Sequence, residues 1–509
     1  MSVVINTLDN KLHSMKSFDI ILLADTAVYP DWTRGYGAHR IASHLRSNGF
    51  TVLVIDFSIA LTFDMWEQIC QYAVGENTRM LGFSSTWWPY RKPYENNDYI
   101  NTSVSLVDWA TDILKKPYDD KDTLTYDVVR GNIQRWIDVI KNKNPKTKIV
   151  LGGAKIDWYR DLPVDNFIDG FGETQILDYL NDSRRIWPTY IKHDTTASSR
   201  DWGWTTSSTS YTEFDFIKPK EVLTLEIARG CRFKCAFCSF PLIGRKDYAS
   251  YTKTEDTIYN ELLENYNKWG TTTYWIGDDT FNDSIEKLEM FLKVTKRLPF
   301  KLNFRAYIRL DIIAMQPEQI QMLYDMGLKS CWIGIETFHP EASKTIGKGM
   351  SAEKRKKALY DIQKVWGDDI AIHAGYIIGL PGEDEEFLRA ELEWFCQEDN
   401  PVNHNPNFLA LIINPPGAFE YHPMSDIDRN PEKYGYKIPD MKKHNFWIRE
   451  DEIGITSAVH AFKLSLEFQK TLSKRRKFIS EKISYALGVS DPVKEYFLPL
   501  IDLLKSKND

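Results

Sequence analysis

Cysteine is scarce in this sequence, with six in 509 residues, and three of them, Cys70, Cys331 and Cys396, stand far apart. Scattered cysteines exclude a disulfide framework and fit a reducing compartment, so a cytoplasmic location is expected. Long apolar runs are missing too. None reaches the roughly 20 residues a membrane helix needs, and the N-terminal MSVVINTLDNKLHSMK lacks the apolar core of a signal peptide, so no membrane partner is expected. Excess positive charge is also absent. The net charge of −7 gives no reason to expect a surface that coats nucleic acid. What remains is ordinary for a globular protein, 43% hydrophobic and 27% charged, and too long for one core, so two or three domains are expected. Sixteen Trp and 26 Tyr suit lined pockets or large cores.

The other three cysteines fall within eight residues. ARGCRFKCAFCSF (228–240) follows the strand-like VLTLEIA and sets Cys231, Cys235 and Cys238 in a C-x3-C-x2-C array. Three thiolates on one loop can hold three irons of a [4Fe–4S] cluster and leave the fourth iron open to a small molecule. A zinc site is the alternative, but no second CxxC or His pair follows to complete it. The spacing, with Phe237 just before the last cysteine, resembles the radical S-adenosylmethionine (SAM) family. The resemblance implies that the open iron chelates the amino and carboxylate groups of SAM. It also implies an external electron donor of flavodoxin or ferredoxin type, and reductive cleavage to a 5′-deoxyadenosyl radical.

Ahead of this loop, FDIILLAD, TVLVIDFS, RMLGFSST, KIVLGGAKI and DNFIDGFGE read as strands alternating with helical stretches. That pattern argues for an α/β fold, a doubly wound Rossmann-like sheet with ligands at its carboxyl ends, over residues 1–184. Residues from about 91 to 127 read as an insertion. The region resembles the cobalamin-binding domain found before the radical core in one branch of the family. Ser84 and Ser85, Gly152 and Gly153, and the closing FGE at 171–173 carry that resemblance, small residues letting the backbone approach a corrin. It makes cobalamin a possible third cofactor. The first loop, DTAVYPDWTRGYG, has no D-x-H-x-x-G, so no histidine is offered there to cobalt. Either cobalamin binds without one or the domain keeps the fold alone. Trp87, Trp88 and Tyr90 could cover a corrin face or fill its space. His39 and His44 read as surface or packing residues. Residues 185–220, rich in Ser, Thr and aromatics, read as a linker.

From 221 to 424, six strand–helix units suggest a partial (β/α)6 barrel, with function at its carboxyl rim. Gly277, Asp278 and Asp279 follow the second strand. They resemble the family's glycine-acid-acid element, implying carboxylates that accept from the SAM ammonium; an acidic helix cap is the bland reading. Arg305, Tyr307 and Arg309 alternate along the third strand, and Arg309 would meet the SAM carboxylate or form a salt bridge. Trp332, Gly334 and Glu336 share a face of the fourth, with Glu336 at the position that meets the ribose hydroxyls in the family. GYIIGLPGE resembles the adenine-contact element, implying that Ile377 touches the adenine and Gly379 leaves room for it. Residues 425–509 read as a mainly helical substrate-side region. Tyr421 and His422 are candidates facing substrate, with His444, Trp447 and His460 behind them.

The expected activity is that of a radical SAM enzyme acting on a small molecule. With cobalamin the expected outcome is methyl transfer to an unactivated carbon; without it, a rearrangement, cyclisation or oxidation. An iron–sulfur electron carrier would leave GDD, GIE and GYIIG without purpose.

Overall fold

A computed structural model describes residues 17–24, 26–28, 31–84, 123–153, 156, 162–182, 186–191, 203–240, 244, 251–414, 424–438, 447–449, 454–480, 482–483, 489 and 491–508. Ser85, Trp87, Trp88, Tyr90, Tyr421, His422 and His444 lie outside them, as does the expected insertion as far as residue 122. Two compact units emerge. One comprises residues 1–223, 260–271 and 485–509, the other 224–259 and 272–484.

The first unit is built on a six-stranded parallel sheet. Its strands are β1 (Ile20–Leu23), β4 (Val52–Ile55), β5 (Met80–Ser84), β6 (Lys148–Gly153), β7 (Asn166–Asp169) and β8 (Tyr190–Ile191), in the order β4-β1-β5-β6-β7-β8. A small antiparallel hairpin of β2 (Thr26–Val28) and β3 (Asp31–Thr33) follows β1. Helices α1 (Tyr36–Ser47), α2 (Phe63–Ala73), α3 (Thr123–Lys143) and α4 (Glu173–Asn181) make the crossovers. β1 (IILL) and β4 (VLVI) are buried at every residue, as parallel strands covered on both faces must be. On one face Ile20, Leu22, Val52, Val54, Val150 and Ile168 pack with Ala42 and Leu45 of α1 and Ile176 and Leu180 of α4.

Two sequence boundaries move. The expected linker 185–220 supplies β8, and from Trp204 to Ile217 it packs on this unit: Ser210 N donates to Ser43 Oγ at 2.8 Å, and Phe214 meets Phe18 edge-on. The tail also returns here rather than staying with the barrel. Tyr496 donates to the Val54 carbonyl at 2.9 Å and packs on Phe57. Isolated aromatic anchors joined by turns carry no period, which is why neither segment reads as part of a core.

The second unit is a six-stranded parallel sheet in simple order, β14-β13-β12-β11-β10-β9. Its strands are β9 (Leu223–Leu225), β10 (Thr273–Ile276), β11 (Asn303–Ile308), β12 (Leu328–Glu336), β13 (Ala371–Ile378) and β14 (Asn407–Ala410). Between them run α5 (Glu255–Trp269), which from residue 260 onward counts with the first unit, α6 (Ile285–Arg297), α7 (Leu310–Met315), α8 (Glu318–Met326), α9 (Pro340–Thr345), α10 (Ala352–Trp366) and α11 (Glu385–Phe395). After β14 come α12 (Asp426–Arg429) and α13 (Ala458–Arg475), and α14 (Leu498–Ser506) closes the chain in the first unit. Alternation sorts the two faces. Tyr274 and Ile276, Phe304 and Ile308, Ile333 and Ile335 are buried, while Trp275, Tyr307, Trp332 and Gly334 are half-buried on the opposite side. The buried face meets the helices: Phe281, Phe291 and Phe304 form a mutual edge-to-face trio. Ser284, Ser351 and Asp384 cap α6, α10 and α11, each accepting a backbone N–H and so ending a loop cleanly. Among the described residues no helix is long and apolar enough to cross a membrane.

Candidate cofactor-binding site

The three cysteines lie on the loop that leaves β9. Cys231 and Cys235 are buried, Cys238 and Phe237 are half-buried, and a tight turn joins the last two cysteines through Cys238 N to the Cys235 carbonyl at 3.0 Å. Burial pushes the Cys231 thiol up and takes that of Cys238 to about 12, with the nearby Asp279 charge adding to both. Such thiols stay protonated until a metal stabilises the thiolate. Two groups already favour sulfur anions: Thr280 Oγ1 is 3.4 Å from Cys231 Sγ, and Arg309 Nη1 donates to Cys235 Sγ at 3.0 Å. Among the described residues no three His, Cys, Asp or Glu side chains are gathered tightly enough for a single metal ion. A mononuclear zinc site is therefore not preformed. A cubane cluster, which takes one thiolate per iron, asks for more widely spread ligands.

Asp278 and Asp279, read alike from sequence, have different roles. Asp278 is buried and fully engaged: Oδ1 accepts from Ile227 N (2.8 Å) and Ala228 N (2.9 Å), and Oδ2 lies 3.2 Å from Lys287 Nζ. Burial raises its carboxyl to about 6 even though Lys287 and the two N–H groups oppose it. It braces the segment between β9 and the cysteine loop, so its oxygens are engaged within the chain. Asp279, after the exposed Gly277, is only half-buried. Burial, with Asp278 and Glu226 close by, pushes its carboxyl up to about 7. A carboxylate crowded by other carboxylates is relieved by a cation.

Arg309 realises its salt-bridge alternative, and locally rather than across the barrel. Nε and Nη2 donate to Asp311 at 3.0 and 2.6 Å, and the guanidinium sits 3.8 Å from the Phe233 ring. Asp311 and Cys235 together engage all three of its nitrogens. Glu336, at the end of β12, has φ +63° and follows a register shift. Its carboxylate folds back over Gly334, where a Cβ would stand 2.5 Å from Oε1, and lies 3.5 Å from Lys348 Nζ. Burial raises it, Lys348 holding it down. On β13, Ile377 is half-buried and turns to the same side as Gly375, the register partner of Gly334. Gly379 (φ +99°) begins a turn held by Glu383, which accepts from Gly379 N and Leu380 N, both at 3.0 Å. Trp447 is fully buried, while His460 is partly exposed with Nε2 3.0 Å from Glu385 Oε2.

In the first unit, Ser84 and Gly152 are register partners at the carboxyl ends of β5 and β6, both half-buried, with Gly153 (φ +119°) next to them. His39 is enclosed. Its ring is fully buried, with Nε2 2.7 Å from Asp56 Oδ2, and Arg34 bridges Asp56 and Glu221. Burial alone would raise the Asp56 carboxyl, but His39, Arg34 and the Gly35 N–H hold it at about 2.

Sequence reading missed Lys287, Thr280, Asp311 and Lys348. Lys287 did leave a signal, a lysine in the first turn of a helix, where the backbone dipole disfavours a cation.

Residues 225–395 match the Radical SAM superfamily model. Ribosomal protein uS12 methylthiotransferase RimO of Sphingopyxis alaskensis is 24% identical over 282 residues, 50% of this chain and 56% of the relative. The chain spans about half the length of that curated relative. The radical SAM methyltransferase TsrM of Kitasatospora setae, solved with cobalamin and a [4Fe–4S] cluster, shares the fold over 96% of this chain and 99% of its own, at a TM-score of 0.56 and 13% identity. The cobalamin-dependent radical enzyme OxsB, solved with aqua-cobalamin and SAM, shares it over 96% of this chain and 61% of its own, at 0.51 and 13%.

Proposed function

We propose that the chain is a radical SAM enzyme that holds a [4Fe–4S] cluster on Cys231, Cys235 and Cys238, binds SAM beside it, and methylates carbon with the help of cobalamin. The observation that carries this is the meeting, at the carboxyl end of one parallel sheet, of a three-thiol loop with an uncommitted carboxylate, Asp279. Loaded, the cluster supplies one electron from an external donor to break the C5′–S bond of SAM. The chain's own part is placement. Asp279 is the acceptor left for the SAM amino group, because Asp278 is spent on the backbone of Ile227 and Ala228. Glu336, kept in position by Gly334 and Lys348, suits the ribose hydroxyls. Ile377 and the Gly379 turn offer an apolar edge for adenine.

Cobalamin fits the first unit on the small half-buried residues Ser84, Gly152 and Gly153; a Cβ at Gly152 would already stand 3.4 Å from the Ile168 carbonyl. TsrM has been solved with tryptophan and a SAM analogue, which supports a small-molecule substrate. A cytoplasmic setting agrees with an oxygen-sensitive cluster. The test is anaerobic reconstitution with iron, sulfide, SAM, cobalamin and dithionite, scored for 5′-deoxyadenosine and bound corrinoid. The Cys231→Ala/Cys235→Ala/Cys238→Ala variant should give neither cluster absorbance nor 5′-deoxyadenosine. Undiminished 5′-deoxyadenosine from that variant would sink the reading.

A further inference from the structure

Lys287 has no contact with solvent: its side chain is 0% exposed, as is that of Asp278, its partner. A buried ammonium persists only where several oxygens replace its water, and this one has three. Nζ lies 2.6 Å from Asp283 Oδ1 and 3.2 Å from Asp278 Oδ2, and donates to the Thr280 carbonyl at 2.8 Å. These oxygens come from the loop between β10 and α6, the loop that carries Asp279. Each end of the contact continues outward. Asp278 holds the backbone N–H groups of Ile227 and Ala228, four and three residues before Cys231. Thr280, whose carbonyl Lys287 fixes, sets its hydroxyl beside Cys231 Sγ. Tyr251 braces Asp283 at 3.4 Å. Helix geometry alone would not place a cation here, since the first turn of α6 presents the positive end of its dipole.

We infer that Lys287 is a positioning residue of the cofactor site. It fastens the Asp279 loop to the strand that leads into Cys231, so that the thiols and the free carboxylate stand in fixed register. This rests on the proposed function and adds to it a residue that touches neither cluster nor SAM. Among the described residues Lys287 is the one cation within ion-pair distance of Asp278 and Asp283, and it makes no such contact with Asp279.

The test compares wild type, Lys287→Met and Lys287→Arg after anaerobic reconstitution. It reads iron content, SAM affinity by equilibrium dialysis, and the change that SAM produces in the EPR spectrum of the reduced cluster. Lys287→Met, with all three cysteines intact, is expected to take up the cluster. It should bind SAM at least tenfold more weakly and lose the SAM-induced EPR change, and Lys287→Arg should recover both in part. SAM affinity within twofold of wild type and an unaltered EPR response would overturn the inference, even where the melting temperature has fallen, because that is a structural role alone. Should the single variant not fold, Asp278→Asn/Lys287→Met removes the charge pair together and is judged by the same criteria. A wild type that takes up no cluster or no SAM would mean instead that the proposed function has failed, and the inference with it.

Discussion

The Trp447 indole lies against Gly379 so closely that a Cβ on the glycine would stand 2.7 Å from the ring, with Ala461 at 3.2 Å behind it. The same glycine has φ +99°, and its carbonyl accepts from Tyr436 Oη at 2.7 Å. Segments after β14 therefore clamp the turn at the end of β13. Gly379→Ala should meet both a backbone penalty of about 1–2 kcal/mol and an overpacking cost of about 1–3 kcal/mol. The Trp447→Ala background should remove only the second part. A double-mutant cycle on the unfolding midpoint checks this, and purely additive effects would show that the indole is not what excludes a side chain.

Asp278 and Asp279 should separate cleanly. Asp279→Asn is expected to leave stability near wild type and weaken SAM binding by tenfold or more, since a charge-assisted hydrogen bond contributes about 1.5–3 kcal/mol. Asp278→Asn should act first on folding: it removes one of the two buried carboxylates that face the Lys287 ammonium, and breaking a buried pair costs up to about 3–5 kcal/mol. Dialysis with SAM beside thermal unfolding of both variants decides it. Equal losses of SAM affinity with equal stability would restore the two aspartates to one role.

That distinction marks how far sequence could go. Spacing placed the thiols on one loop, and alternation put Trp332, Gly334 and Glu336 on one face, because both are consequences of local geometry. What each carboxylate touches depends on residues far along the chain: Ile227 and Ala228 are about fifty positions before Asp278, and no local period links them. Glu336 was legible as a rim residue, but its left-handed backbone was not, since that follows from a register shift against β13. His39 read as surface or packing because a helix face carries it without remark. Its burial becomes visible only when Asp56 at the end of β4 comes alongside.

Glu383 gives a pH dependence. Burial raises its carboxyl from the ordinary 4.5 to about 8, against the Thr337 hydroxyl and the two N–H groups it accepts. The folded state thus holds this proton more tightly than the unfolded chain. Its stabilising effect is complete below about 4.5 and is lost as pH rises through 8. Glu383→Gln, which cannot ionise, should gain stability relative to wild type across that window, by at most about 1.4 kcal/mol per pH unit. Unfolding midpoints at pH 5, 6.5 and 8 measure it. A difference that does not change with pH would mean that the N–H donors keep Glu383 ionised throughout.

Cobalamin binding tests the first unit by itself. Ser84 and Gly152 face each other across β5 and β6, and Gly153 continues in a conformation that favours glycine, so the carboxyl end of the sheet is low there. His39 cannot turn to cobalt without breaking its contact with Asp56, inside a cluster that also holds Arg34 and Glu221. Purified protein should therefore retain hydroxocobalamin in equilibrium dialysis with a Kd of about micromolar or tighter, roughly 8 kcal/mol. The cob(II)alamin EPR spectrum of that complex should be the same with 14N- and 15N-histidine, because no protein imidazole ligates the metal. Gly152→Trp, verified as folded, should abolish retention by filling the space beside Ile168. A spectrum that changes with the isotope would mean that a histidine reaches the cobalt after all. No retention by the wild type would leave the sheet as scaffold and turn the chemistry from methyl transfer to a rearrangement, cyclisation or oxidation driven by the radical alone.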